Sequence, residues 1–164
     1  FIPSDDTKRD VSHIQIAFGE FSQLLARYPD SAYAPDARQR MVHMRNMLAR
    51  HEIHVANYYF RRGAYMAALN RGKYVVEHMQ QTPSVADGLA IMAQAYLLLN
   101  LNDLADDSID VLCENFPDHP NIKEGCVFDS VYTFDGQQRS WINQATLGLF
   151  DPPQPPQFNY RPKS

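Results

Sequence analysis

Residues 104–119 read LADDSIDVLCENFPDH, and residues 16–31 read IAFGEFSQLLARYPDS. In each stretch a small residue is followed by apolar residues four and seven positions later and by a proline twelve positions later. Residues spaced by three or four lie on one face of a helix, and a proline interrupts a helix because it has no N–H to donate. Both stretches are therefore predicted to form amphipathic helices that end at the proline. The matching residues are Ala105, Ile109, Leu112 and Pro117 in one stretch, and Ala17, Phe21, Leu24 and Pro29 in the other.

A second pattern lies ahead of these helices. In two places a small residue and a tyrosine stand 12 and 9 positions before the small residue of the following helix. Small residues on facing helices allow the helices to approach closely, and large neighbours fill the gaps around them. This spacing is typical of the tetratricopeptide repeat, whose helical hairpins must stack to bury their apolar faces. The residues are Ala56 and Tyr59 ahead of Ala68, and Ala93 and Tyr96 ahead of Ala105.

The fold class predicted from these patterns is all-α, a tetratricopeptide-type helical array (an α-solenoid) with one long helix as its spine. Residues 33–62 contain no glycine, and their only proline, Pro35, suits the first turn of a helix. At 1.5 Å per residue this spine would be about 45 Å long. Its predicted buried seam consists of Met41, Met44, Leu48, His51, Val55 and Tyr58. The predicted helices cover residues 10–28, 33–62, 65–81, 84–99 and 103–115.

Two domains are predicted: a helical repeat domain over residues 1–120 and a carboxyl-terminal extension over residues 121–164. The extension contains a stretch that predicts one short amphipathic helix carrying Trp141, and it ends in an irregular, proline-rich tail, DPPQPPQFNYRPKS. The tail has two interpretations, an unstructured overhang or a polyproline segment lying on a neighbouring subunit. Trp141 either folds back onto the last repeat or anchors a partner.

Composition limits the function. The chain has 164 residues, a formal charge of −4 and 45% hydrophobic residues, which is ordinary for a folded domain and argues against a nucleic-acid partner. Four acidic residues share one face of the last predicted helix. That stripe is interpreted as a solvated surface, with a docking strip for a basic partner as the alternative. The stripe consists of Asp103, Asp107, Asp110 and Glu114.

No catalytic, metal or cofactor site is predicted. The sequence has no G-x-S-x-G nucleophile motif and no glycine-rich phosphate loop. His51 and His54 share a helix face, but HEIH is not H-E-x-x-H and no third ligand stands at a recognisable spacing, so both histidines are interpreted as structural. Cys113 and Cys126 could form a bridge closing 12 intervening residues; we favour two separate thiols, with Cys113 inside a helix.

Residues 58–71, YYFRRGAYMAALNR, resemble the pattern Y-Y-x-x-R-G-A-x-x-A-A-x-N-R of the BamD family of outer-membrane lipoproteins. Residues 9–40 are similar to the same family's A-F-x-x-F-x-x-L helix, its Y-P-x-S turn and its D-A-x-x-R helix start. The resemblance covers roughly residues 8–117, and residues 141–151 are similar to the W-x-N-x-x-T-x-G-L-x-D ending of some members.

This resemblance implies a non-catalytic scaffold of the β-barrel assembly machinery at the periplasmic face of the outer membrane. It would support the folding and insertion of outer membrane proteins. In such a family the carboxyl-terminal repeats, which this chain corresponds to, dock onto a POTRA domain of BamA alongside other lipoproteins of the complex. The amino-terminal repeats face barrel precursors. Contact with the membrane would run only through a lipid anchor upstream of this chain.

The candidate partner-binding residues are Arg62, Asn70 and Arg71, because packing of the repeat does not require their side chains. Arg71 is predicted to donate its fork of N–H groups to a partner carboxylate. The alternative for Arg62 and Asn70 is that they cap the helices of the hairpin internally. The alternative function is a periplasmic tetratricopeptide adaptor for cell-envelope division or peptidoglycan synthesis, with an enzyme as the third hypothesis.

Overall fold

The computed structural model describes residues 10–130 and 157–160, and within them the chain forms five helices and one short β-hairpin. The predicted all-α repeat fold is confirmed, and the five helices predicted over residues 10–115 are present with ends within three residues of those expected. No helix in these ranges is both long and apolar enough to span a membrane. The elements are α1 (Ser12–Arg27), α2 (Ala34–Arg61), α3 (Tyr65–His78), α4 (Ser84–Leu98), α5 (Asn102–Asn115), β1 (Ile122–Lys123) and β2 (Val127–Phe128).

The hairpins α2–α3 and α4–α5 are built alike. Their predicted small residues are completely buried: Ala56 and Ala68 in one hairpin, Ala93 and Ala105 in the other. In the first turn, Gly63 has a φ of 69°. Its N–H donates to the carbonyl of Phe60, and the N–H of Ala64 donates to the carbonyl of Tyr59, both at 3.0 Å. These two bonds satisfy carbonyl groups that the end of a helix otherwise leaves open.

The second turn repeats this geometry with asparagine in place of glycine. Asn100 has a φ of 59°, and its N–H donates to the carbonyl of Leu97 at 3.1 Å. The N–H of Leu101 donates to the carbonyl of Tyr96 at 2.9 Å. Glycine and asparagine are the residues that most readily adopt this left-handed conformation, so both turns follow from the local sequence.

Helices α3 and α4 touch where two glycines face each other. A Cβ atom at Gly72 would lie 2.8 Å from the carbonyl oxygen of Gly88 and 2.8 Å from Cγ2 of Ile91. Such distances are too short for carbon, so the two backbones can approach this closely only without a side chain at Gly72. The main hydrophobic core, which includes Val75, Ile91 and Leu112, is built around this crossing.

We therefore expect Gly72→Ala to lower the free energy of unfolding by about 1–2 kcal/mol, because overpacking outweighs the gain in helix propensity. Gly19→Ala is the matched control, since Gly19 also lies within a helix but nothing surrounds the added Cβ. That control should gain about 0.5–1 kcal/mol. Urea unfolding followed by circular dichroism measures both; a stabilising Gly72→Ala would contradict the close α3–α4 crossing.

The predicted seam of α2 was wrong by one row of residues. Its most buried residues over the second half of the helix are Ala49, Ile53, Ala56 and Phe60, whereas Tyr58 is 44% exposed. The remaining predicted members are only partly buried. The closest helix contacts in this fold are made by alanines. The seam was predicted from large side chains, and these lie in the row beside the buried alanines.

The preference for two free thiols was also wrong. Cys113 and Cys126 form a disulfide, with their Cα atoms 5.7 Å apart. The chain returns to the end of α5 through the turn between β1 and β2, where Gly125 and Cys126 have φ angles of 80° and 60°. Sequence periodicity gave no sign of this hairpin, which lies at the start of the predicted carboxyl-terminal extension.

The described part of the tail, residues 157–160, differs from both interpretations, and the rest of the predicted tail lies outside the described residues. Phe158 is only 2% exposed and belongs to the main hydrophobic core, so residues 157–160 lie on the chain's own helices. They are neither an overhang nor a segment bound to another subunit. The predicted helix around Trp141 lies outside the described residues, and the domain boundary at residue 120 stays a prediction.

Candidate protein-binding surface

The candidate residues Arg62 and Asn70 belong to an exposed row on the α2–α3 hairpin. Residues spaced by four follow one side of a helix, so Met66, Asn70 and Tyr74 lie on one side of α3. Arg62 precedes them at the end of α2, and all four members of this row are exposed to solvent. Met66 is 54% exposed and Tyr74 is 43% exposed. We call this row the α3 stripe; its members are Arg62, Met66, Asn70 and Tyr74. Arginine, methionine and tyrosine are enriched at protein–protein interfaces, so the stripe has the composition of a binding surface.

Arg71, next to the stripe, is held by the chain itself. Its Nη1 donates to Oε2 of Glu52 at 2.9 Å, joining α3 to α2. The Glu52 side chain is 14% exposed and that of Arg71 is 43% exposed. The pKa of Arg71 is raised above its ordinary value, chiefly by the hydrogen bond to Glu52, and a hydrogen bond to Tyr59 adds to this. The ion pair with Glu52 therefore holds the guanidinium of Arg71 against α2.

The internal capping alternative describes the backbone of Arg62, which is the C-cap residue of α2, but it does not describe Asn70. Asn70 lies in the middle of α3, too far from either end to cap it, and its side chain is exposed. Arg62 is the last residue before the turn, where the backbone N–H groups of Gly63 and Ala64 already satisfy the helix end. The Arg62 guanidinium lies 5.3 Å from the centre of the Tyr58 ring, within the range of a cation–π contact. Both side chains thus remain accessible.

Sequence reasoning selected Arg71 but missed Glu52. A signal existed: Ala56 and Ala68 face each other across the hairpin, and one further helical turn away from the bend leads to Glu52 on one helix and Arg71 on the other. Opposite charges at such facing positions predict an ion pair. The four acidic residues of α5 are all exposed, which is compatible with both interpretations of that stripe.

A second polar cluster, which sequence reasoning missed, holds the end of the chain. The side-chain amide of Asn57 donates to the carbonyl of Phe158 at 2.9 Å and accepts the N–H of Phe158 at 3.0 Å. The carboxylate of Asp87 accepts the N–H of Tyr160, at 3.0 and 2.9 Å from its two oxygens. The Phe158 ring packs 5.8 Å from the Phe60 ring, measured between centres. A cavity of about 310 Å³ lies beside these residues.

His119 completes this cluster. Its Nδ1 accepts the N–H of Asn121 at 3.2 Å, so a neutral ring carries its hydrogen on Nε2, which lies 3.5 Å from Asp87. The His119 ring also packs 5.0 Å from the Tyr160 ring. We call the site formed by Asn57, Phe60, Asp87 and His119 the tail groove. The visible signal was Asp87 within VADGLAIMA, a charged residue in the most apolar helix of the chain.

Neither surface has the features of a metal site in the part of the chain that the structure describes. Over residues 10–130 and 157–160, no three histidine, cysteine, aspartate or glutamate side chains come together in a way that could hold a metal ion. His51 and His54 are partly buried on α2, as their structural interpretation expects. The α3 stripe and the tail groove present hydrogen-bonding, charged and apolar groups, which are the groups that protein–protein interfaces use.

The helical hairpins, their buried alanines and their left-handed turns define a tetratricopeptide-type repeat protein. The chain belongs to the YfiO family of outer membrane lipoproteins, because the family model matches residues 2–112. The resemblance deduced from residues 58–71 is thereby confirmed.

Several curated relatives are similar to this chain, and each bears the name outer membrane protein assembly factor BamD. The protein from Xylella fastidiosa (strain Temecula1) is 42% identical over 119 residues, which cover 73% of this chain and 41% of the relative. The Neisseria gonorrhoeae protein is 42% identical over 116 residues, covering 71% and 43%. The Vibrio cholerae protein is 38% identical over 99 residues, covering 60% and 41%. The chain thus spans about two fifths of the length of these relatives.

Proposed function

We propose that this chain is a non-catalytic scaffold subunit of the β-barrel assembly machinery. In this proposal the chain docks to a POTRA domain of BamA and supports the folding and insertion of outer membrane proteins. The names of its relatives place them in outer membrane protein assembly. The observation that supports the docking part is the exposed α3 stripe, which presents an arginine, a methionine, an asparagine and a tyrosine to solvent. Other lipoproteins of the complex are further partners in this proposal.

Arg71 is proposed to orient the docked partner. A guanidinium carries five N–H donors, so its bond to Glu52 leaves donors for a partner carboxylate. Because the ion pair already fixes the side chain, a partner that binds there loses less conformational freedom on docking. This ordering favours Arg71 over an unrestrained surface arginine as the residue that sets the orientation of the partner.

The disulfide supports a location at the periplasmic face of the outer membrane. Disulfides persist in oxidising compartments such as the bacterial periplasm and are rare in the cytosol. The Cys113–Cys126 bridge suits that environment.

We expect Arg71→Glu to weaken binding to BamA POTRA domains by about 2 kcal/mol, roughly 30-fold in Kd. The change removes a donor and places a second carboxylate beside Glu52. Lys73→Glu is the matched control, because it alters the net charge equally on the same helix, and Lys73 makes only an exposed contact with Glu77, at 3.6 Å. Isothermal titration of the purified chain with purified POTRA domains measures both affinities. Unchanged binding by Arg71→Glu removes Arg71 from the interface.

A second variant separates docking from folding. Met66→Ala combined with Asn70→Ala alters the α3 stripe while leaving the Arg71–Glu52 pair in place. Its circular dichroism should match that of the unaltered chain, whereas its affinity for the POTRA domains should fall. If neither this variant nor Arg71→Glu binds more weakly, the docking surface lies elsewhere on the molecule.

A further inference from the structure

The tail groove contacts both the main chain and alternate side chains of residues 157–160. Asn57 bonds to both the N–H and the carbonyl of Phe158, and Asp87 bonds to the N–H of Tyr160. Along the held segment, Gln157 and Asn159 are exposed, whereas Phe158 is buried and Tyr160 is partly buried. This alternation is that of an extended peptide whose every second side chain enters a site.

The polar groups of the groove are buried while residues 157–160 cover them. Asn57 is 7% exposed and Asp87 is 3% exposed, and both lie among core helices. A buried amide or carboxylate without a hydrogen-bond partner costs free energy. If the end of the chain left, Asn57 would lose both of the hydrogen bonds described here, and Asp87 would keep only His119. The groove is therefore built to hold a peptide backbone.

We propose that the tail groove is a binding site for an extended peptide segment of a partner protein, and that residues 157–160 fill it as a displaceable occupant. The ligand would present one backbone N–H and carbonyl to Asn57, a second N–H to Asp87, and an aromatic side chain to Phe60. The site shares no residue with the α3 stripe, so it goes beyond the docking proposed above.

Two features indicate that a ligand can displace residues 157–160 from the tail groove. The described contacts of the segment are a few hydrogen bonds and ring contacts, not a helix packed along its length. The cavity of about 310 Å³ beside the segment is lined by Arg50, His54 and Arg61 together with the segment itself, which leaves room for a longer ligand. Because the occupant belongs to the same chain, it acts as a tethered competitor whose effective concentration is high.

The test uses the full chain and a fluorescent peptide with the sequence of residues 155–162, PPQFNYRP. Weakening the tethered competitor by Phe158→Ala with Tyr160→Ala should tighten binding of the peptide at least tenfold relative to the unaltered chain. Adding Asn57→Ala to that variant should reverse most of the gain. A peptide with alanine at its phenylalanine is the control and should bind at least tenfold more weakly. Equal binding by all three chains overturns the proposal.

Hydrogen exchange tests the same proposal without any substitution. In the unaltered chain, the amides of Phe158 and Tyr160 should exchange at least a hundredfold faster than that of Ile91 in α4, and excess peptide should accelerate them further. If these amides instead exchange as slowly as Ile91 and ignore the peptide, the segment is a fixed part of the core and the proposal is wrong.

Discussion

Phe60→Ala should lower the free energy of unfolding by about 3–5 kcal/mol, the range for deleting a buried aromatic side chain. Phe60 is 1% exposed at the end of α2, and it joins two parts of the molecule. Its ring lies 6.3 Å from that of Tyr65, across the hairpin, and 5.8 Å from that of Phe158, between ring centres. Alanine would leave a cavity between the α2–α3 turn and the end of the chain. Urea unfolding followed by circular dichroism measures the loss.

Met66→Ala is the control for this experiment. It removes a large apolar side chain from the same hairpin, but Met66 is 54% exposed, so the change should stay within about 0.5 kcal/mol. Similar losses for the two variants would mean that the buried end of α2 is not part of the cooperative core. The comparison also checks that the α3 stripe can be altered without weakening the fold.

The helices were predictable because their signals are local. Each signal concerns residues of a single hairpin, so it can be recognised without knowledge of distant parts of the chain. The signals are the prolines after the helices and the small residues Ala56, Ala68, Ala93 and Ala105. The left-handed turn at Gly63 is similarly local. The predicted buried seam of α2 was wrong because two adjacent rows of residues follow the same helical spacing. Which row is buried depends on how closely the neighbouring helices pack against α2.

The contacts that sequence reasoning missed join residues far apart in the chain. Asn57 and Phe158 are 101 positions apart, and Asp87 and Tyr160 are 73 apart. No periodicity relates such residues, and the proline-rich composition of the tail pointed away from burial. The Arg71–Glu52 pair, 19 positions apart, is intermediate: the symmetry of the hairpin could have found it. Buried polar residues in apolar helices, such as Asp87, are the one local sign of a non-local partner.

Breaking the Cys113–Cys126 bridge should cost about 3 kcal/mol of unfolding free energy, the chain-entropy estimate for a closed loop of roughly 15 residues. The sulfur atoms are 13 positions apart in sequence and tie the last turn of α5 to the β1–β2 hairpin. The reduced chain gains freedom mainly when it is unfolded, so its unfolding midpoint in urea should fall. Unfolding curves recorded with and without a thiol reductant give the difference.

The double variant Cys113→Ser with Cys126→Ser is the control, because its curve should match that of the reduced chain and ignore the reductant. The loss should extend to the tail groove. The hairpin held by the bridge follows directly on His119 and Asn121, and the His119 ring packs against Tyr160. Reduction should therefore speed hydrogen exchange at the Tyr160 amide more than at Ile91. An unchanged unfolding midpoint would mean that the hairpin stays attached to α5 without the disulfide. The predicted effect of the disulfide on the tail groove would then also be wrong.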